Sequence, residues 1–89
     1  MRIKEGFILR EVSGMNIVMP SGSNVRDFKA AVLLNESGVL IFKLLQQGSV
    51  AITELVKVLT DTYDVDEKAA LADVKEAISS FQEIGILEG

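Results

Sequence analysis

The chain has 89 residues and a net charge of −4, with 48% hydrophobic residues. That is enough for one domain around one modest core, residues 1–89, and too apolar for a disordered chain. It contains no cysteine and no histidine, which removes disulfides, thiolate metal sites, thiol nucleophiles and the commonest general base.

The first residues, MRIKEGFILREV, carry a charge every few positions and lack the apolar stretch of a signal peptide. No apolar run approaches the ~18 residues of a membrane helix, so the expectation is a soluble cytoplasmic protein. Charge is divided unevenly. Residues 1–44 sum to +2 and residues 45–89 to −6, so the second half is acidic.

Residues 7–12, FILREV, have strand composition, and after Ser13-Gly14 a second strand is expected over residues 15–19, MNIVM. The two-residue link predicts an antiparallel hairpin. Met15, Ile17 and Met19 alternate with Asn16 and Val18, which makes one face of the second strand the more apolar. Pro20-Ser21-Gly22-Ser23-Asn24 is a cluster of breakers that ends the hairpin. A third strand is expected over residues 25–34, with Phe28, Ala30, Val32 and Leu34 on one face and Lys29, Ala31 and Leu33 on the other. The second face is not fully polar, which predicts cover on both sides.

At Asn35 the period changes from two to about 3.6. Asn35 is the expected N-cap of helix one, residues 37–47, with Glu36 suited to the positive end of the helix dipole and Gly48 to the C-cap. Helix two is expected over residues 51–63, with Ile52, Leu55, Val56 and Leu59 as its apolar stripe. Asp66 is placed to cap helix three, residues 67–84, whose Ala70, Val74, Ala77, Ile78 and Phe81 share a face. Gly85 should end it, with Ile86-Leu87 folding back in the manner of a Schellman contact. The fold class is therefore α+β: a three-stranded antiparallel sheet followed by three helices, in a winged-helix-like order.

Catalytic groups are sparse. Serines and threonines have no histidine to activate them, and Tyr63 reads as a packing residue. Asp61, Asp64, Asp66 and Glu67 cluster between helices two and three, but without the glycine and closing glutamate of a calcium loop; capping accounts for them, and no metal or cofactor is expected. Asn35-Glu36-Ser37 matches a glycosylation sequon, for which capping is again the better account. A winged-helix order raises DNA binding, yet helix three carries Glu67, Asp73, Glu76 and Glu83 against Lys68 and Lys75, which would repel phosphates. The remaining feature is the third strand as an exposed edge with no proline, where an extended peptide could add as a further strand. Val32, Ala70, Val74 and Ile78 would line a groove between that strand and helix three. The same edge would also be satisfied by self-association into a homodimer.

The segments FILREVSGMNIVMP, AVLLNESGVLIFKLLQQG and ITELVKVLTDTYDVDEKAALADVKEAISSFQEIGIL together resemble the PqqD-like proteins nearly end to end. The most specific parts are Leu34-Asn35-Glu36-Ser37-Gly38 followed by Phe42, then Tyr63-Asp64-Val65-Asp66, Asp73-Val74 and the closing Gly85-Ile86-Leu87. Phe42 stands where many members have Trp. The resemblance implies a non-catalytic peptide chaperone. Such a protein binds the leader segment of a ribosomally synthesised precursor peptide as a strand added to strand three beside helix three. It presents the precursor to a modifying enzyme, often a radical SAM enzyme. Carried over by position, the peptide-binding residues would be Phe28, Lys29, Ala30, Ala31, Val32, Leu33 and Leu34 on the strand and Ala70, Asp73, Val74, Ala77 and Phe81 on the helix. The acidic helix would favour leaders with Lys or Arg near the groove. The alternative reading is a winged-helix transcriptional regulator or a protein–protein adaptor.

Overall fold

The computed structural model describes residues 1–22 and 32–88. Its strands are β1 (Arg2–Ile3), β2 (Phe7–Val12), β3 (Met15–Pro20), β4 (Val32–Leu34) and β5 (Leu87–Glu88); its helices are α1 (Glu36–Gln47), α2 (Ile52–Thr62) and α3 (Glu67–Glu83). The expected α+β order is present: an antiparallel sheet β2-β3-β4 followed by three helices. A two-stranded antiparallel sheet of β1 and β5 was not expected from the sequence. Strands of two residues carry no periodicity, so only the folded chain reveals them.

The hairpin closes as Ser13-Gly14 predicts. Both residues have positive φ, 51° and 79°, which a two-residue turn needs to match the twist of its strands. Val12 and Met15 flank the turn and are therefore a hydrogen-bonded pair, and bonding alternates from there. Pro20 lies opposite Phe7 at a non-bonded position, so its missing N–H takes nothing from the β2–β3 ladder. The ladder resumes beyond it, where the Ser21 N–H donates to Gly6 O at 2.8 Å.

Val18 is completely buried, together with Phe7 from the same face of the sheet. The face that composition marks as the more apolar, Met15, Ile17 and Met19, is the outer one, and Met15 is 48% exposed. Alternation alone does not decide which of two apolar faces turns inward; the helices do, by packing against Val18. On β4 the alternation is as expected, with Val32 and Leu34 half-buried and Leu33 65% exposed. Among the described residues the predicted cover over Leu33 is absent. The expected third strand over residues 25–31 lies outside the described residues.

The helices close the core. Ile41, Phe42 and Leu45 of α1, Leu55 and Leu59 of α2, and Ala70, Val74 and Phe81 of α3 are all essentially inaccessible. The rings of Phe42 and Phe81 meet edge-on, with centroids 5.9 Å apart, an arrangement that sets a positive ring edge against a negative ring face. The expected caps are in place. Asn35 Oδ1 accepts the Gly38 N–H at 2.8 Å and Asp66 Oδ1 accepts the Ala69 N–H at 2.7 Å. After α3 the Ile86 N–H donates to Phe81 O and the Gly85 N–H to Gln82 O, both at 3.1 Å, with Gly85 at φ 74°. That is the Schellman pattern, and it sends the buried Ile86 back onto Phe81. Gly48 ends α1 with an extended backbone, so its role there does not require a left-handed residue. No helix among the described residues is long and apolar enough to cross a membrane.

Candidate functional site

The site begins with which way the β4 backbone faces. Within β3, residues 15, 17 and 19 direct their N–H and C=O toward β2, so Asn16 and Val18 direct theirs toward β4. Their partners Leu34 and Val32 therefore bond inward. Leu33 bonds outward, at the edge of the sheet β2-β3-β4 that no described strand pairs. Its exposed side chain lies on the outer face, beside Ile17 and Arg10.

The turn into α1 holds this edge against the helices. Asn35 caps α1, and the Ser37 hydroxyl donates to the same Asn35 Oδ1 at 3.0 Å, which fixes the cap's orientation. A Cβ on Gly38 would stand 3.2 Å from Asn35 Oδ1 and 3.3 Å from Leu34 Cβ, so glycine lets β4 pass close to the first turn of α1. The run Leu34-Asn35-Glu36-Ser37-Gly38 is thus a compact joint with a reason for each of its polar or small residues.

Between this joint and α3 lies a groove of about 210 Å³, walled by Leu33, Leu34, Asn35 and Gly38 on one side and Asp73, Glu76, Ala77 and Ser80 on the other. The four α3 residues follow the 3–4 spacing of a single helix face. A second hollow, of about 350 Å³, adjoins it. It shares Asn35 and Asp73 and continues past Glu36 and Ser37 to Leu59, Tyr63 and Val65. Among the described residues, every charged residue lining the two is a carboxylate: Glu36, Asp73 and Glu76. None of the three makes an ion pair with a described residue. The Ser80 hydroxyl is engaged within α3, donating to Glu76 O at 3.1 Å.

Of the residues expected at the site, Val32, Leu33 and Leu34 form β4, and Leu33, Leu34, Asp73 and Ala77 meet at the groove. Ala70, Val74 and Phe81 are at 0% exposure and Ile78 at 7%; they build the core that supports α3 from behind. Phe28, Lys29, Ala30 and Ala31 lie outside the described residues. Glu76 and Ser80 escaped the sequence reading, although their spacing from Asp73 was a usable signal. Leu59, Tyr63 and Val65 had no such signal, because they join the site only through the packing of α2 against α3.

Among the described residues no three carboxylates gather into a group able to hold a metal ion; Asp66 is committed to its cap. Among the described residues the groove offers an unpaired strand edge, apolar walls and negative charge. Those features suit binding of an extended chain rather than bond chemistry.

A family model described as coenzyme PQQ synthesis protein D (PqqD) matches residues 16–87. Among curated proteins none matches the sequence. Two solved structures share the fold. TbiB1 in complex with the TbiA(beta) leader peptide superposes with a TM-score of 0.72 at 19% identity, covering 100% of this chain and 96% of that one. Lasso peptide synthetase B1 complexed with the leader peptide superposes with a TM-score of 0.70 at 19% identity, covering 99% and 96%.

Proposed function

The chain belongs to the PqqD family, and on that premise we propose that it is a non-catalytic module that binds the leader segment of a ribosomally synthesised precursor peptide and presents the precursor to a modifying enzyme. The leader adds as a strand along β4, and its alternate side chains enter the groove against α3. The observation that carries this reading is the outward-facing backbone of Leu33 at the rim of a groove. Main-chain hydrogen bonds there supply affinity for any extended chain, and the groove supplies selection. Both structural neighbours hold leader peptides, which supports the same use of the shared fold. The enzyme partner, a radical SAM enzyme as the family resemblance implies, takes the precursor from this complex.

The test is an NMR titration of isotopically labelled protein with the leader of the precursor peptide encoded beside its gene. Shifts concentrated in residues 32–35 and 73–80 are expected. Their absence at millimolar peptide would overturn leader recognition and favour the adaptor reading.

A further inference from the structure

Among the described residues the groove beside β4 is short. Asp73 and Ser80 are seven positions apart on α3, about 10 Å along the axis, a distance that about three residues of extended chain cover. Three residues of strand pairing give little affinity or selectivity, because each backbone hydrogen bond only replaces one to water. What adjoins the groove can add recognition that this pairing lacks.

What adjoins it differs in character. The hollow beyond Asn35 and Asp73 is floored by Leu59, at 1% exposure, and walled by the half-buried Tyr63 and by Val65 at 38% exposure. Val65 is one of few large apolar residues that the described chain leaves open to solvent. It sits in the α2–α3 link between Asp64 and Asp66. The mouth of the hollow is acidic, with Glu36 on one side and Asp73 on the other. Its volume, about 350 Å³, is at the small end of ligand sites and suits one or two side chains rather than a helix or a cofactor.

We propose that this hollow is a second leader subsite, in which the peptide leaves β4, passes the Asn35–Asp73 junction with a basic residue, and buries an apolar or aromatic side chain against Leu59, Tyr63 and Val65. The inference rests on the leader-binding reading and adds to it a sequence class: a short extended segment, then Lys or Arg, then an apolar anchor close by. The occupant is the same peptide because the two hollows are continuous through shared residues. The basic residue is called for because every charged residue on the path, among the described residues, is a carboxylate. Burial of one large apolar side chain adds binding free energy comparable to the whole of a three-residue pairing.

The experiment compares the same genomically adjacent leader on the wild-type protein, Val65→Asn and Val65→Leu by calorimetric titration, with NMR on the wild type. Val65→Asn is expected to weaken binding about tenfold and Val65→Leu to restore it, with thermal melts showing all three folded. Wild-type shifts should extend to Leu59, Tyr63 and Val65. Binding by Val65→Asn at wild-type affinity, with shifts confined to β4 and residues 73–80, would overturn the second subsite and leave leader recognition standing. No binding to the wild type would overturn both.

Discussion

At the scale of single residues, Leu33 has a role that its exposed side chain does not reveal. Its N–H and C=O are the pair on β4 that faces outward, by the alternation that runs from the Ser13-Gly14 turn through both ladders. Proline is tolerated on an edge strand where the lost N–H faces solvent. Leu33→Pro should therefore keep its melting temperature within a few degrees and lose leader binding by at least tenfold. A Leu33→Pro protein that binds normally would show that the peptide does not pair with β4. Ser13 presents the converse case, a residue at φ 51° where Asn is better suited. Ser13→Asn should raise stability by about 0.5 kcal/mol in a urea titration. Gly14→Ala, with open space around the new Cβ but φ at 79°, should lower it by about 1 kcal/mol.

At the scale of elements, α3 serves two faces with different chemistry. Ala70, Val74, Ile78 and Phe81 pack inward, and Asp73, Glu76, Ala77 and Ser80 border the groove. Charge can be changed on the second face without entering the first. The double variant Asp73→Asn, Glu76→Gln should leave stability within about 0.5 kcal/mol. It should weaken a basic leader several-fold and flatten the dependence of affinity on salt, because screened attraction between carboxylates and Lys or Arg is what has been removed. Equal salt dependence in the variant and the wild type would argue that the leader makes no charge contact there. The caps act at the same scale. Asp66→Ala should cost about 1 kcal/mol by freeing the Ala69 N–H. Asn35→Ala should cost a similar amount and also disturb binding, since the same oxygen holds Ser37 and sets the joint between β4 and α1.

At the scale of the whole molecule, the site depends on distant support. The N-terminal segment is held by the β1–β5 pair, by the Lys4 N–H donating to Ile86 O at 2.8 Å and by the Val50 N–H donating to Met1 O at 3.0 Å. Gln46 Nε2 of α1 donates to Phe7 O of β2 at 3.2 Å, so sheet and helices are also joined by a polar contact at the rim of the core. The Arg2–Glu88 pair is exposed on both sides and adds at most about 1 kcal/mol; burial does most of the work. Phe81→Ala removes a fully buried ring that touches Phe42 and anchors the return of Ile86. A loss of about 3–5 kcal/mol is expected, a large share of the 5–15 kcal/mol typical of a domain. Denaturant unfolding would check it, and leader binding should fall in proportion to the unfolded fraction.

The sequence by itself determined the hairpin, the three helices, their caps and the Schellman return, because each rests on local physics: turn residues that accept positive φ, side-chain oxygens that reach N–H groups three residues on, and apolar spacing of period two or 3.6. The family resemblance also named Asp73 and Ala77, which lie across the groove from β4. Tertiary structure decided what local rules leave open. It chose which apolar face of β3 is inward, because both faces are apolar and only the helices break the tie. It paired β1 with β5, strands too short to carry a pattern. It separated the α3 residues that face the groove from those that fill the core, which together look like one broad stripe in sequence. And it brought Leu59, Tyr63 and Val65 to the end of the groove, since residues far from β4 in the chain become its neighbours only when α2 packs on α3.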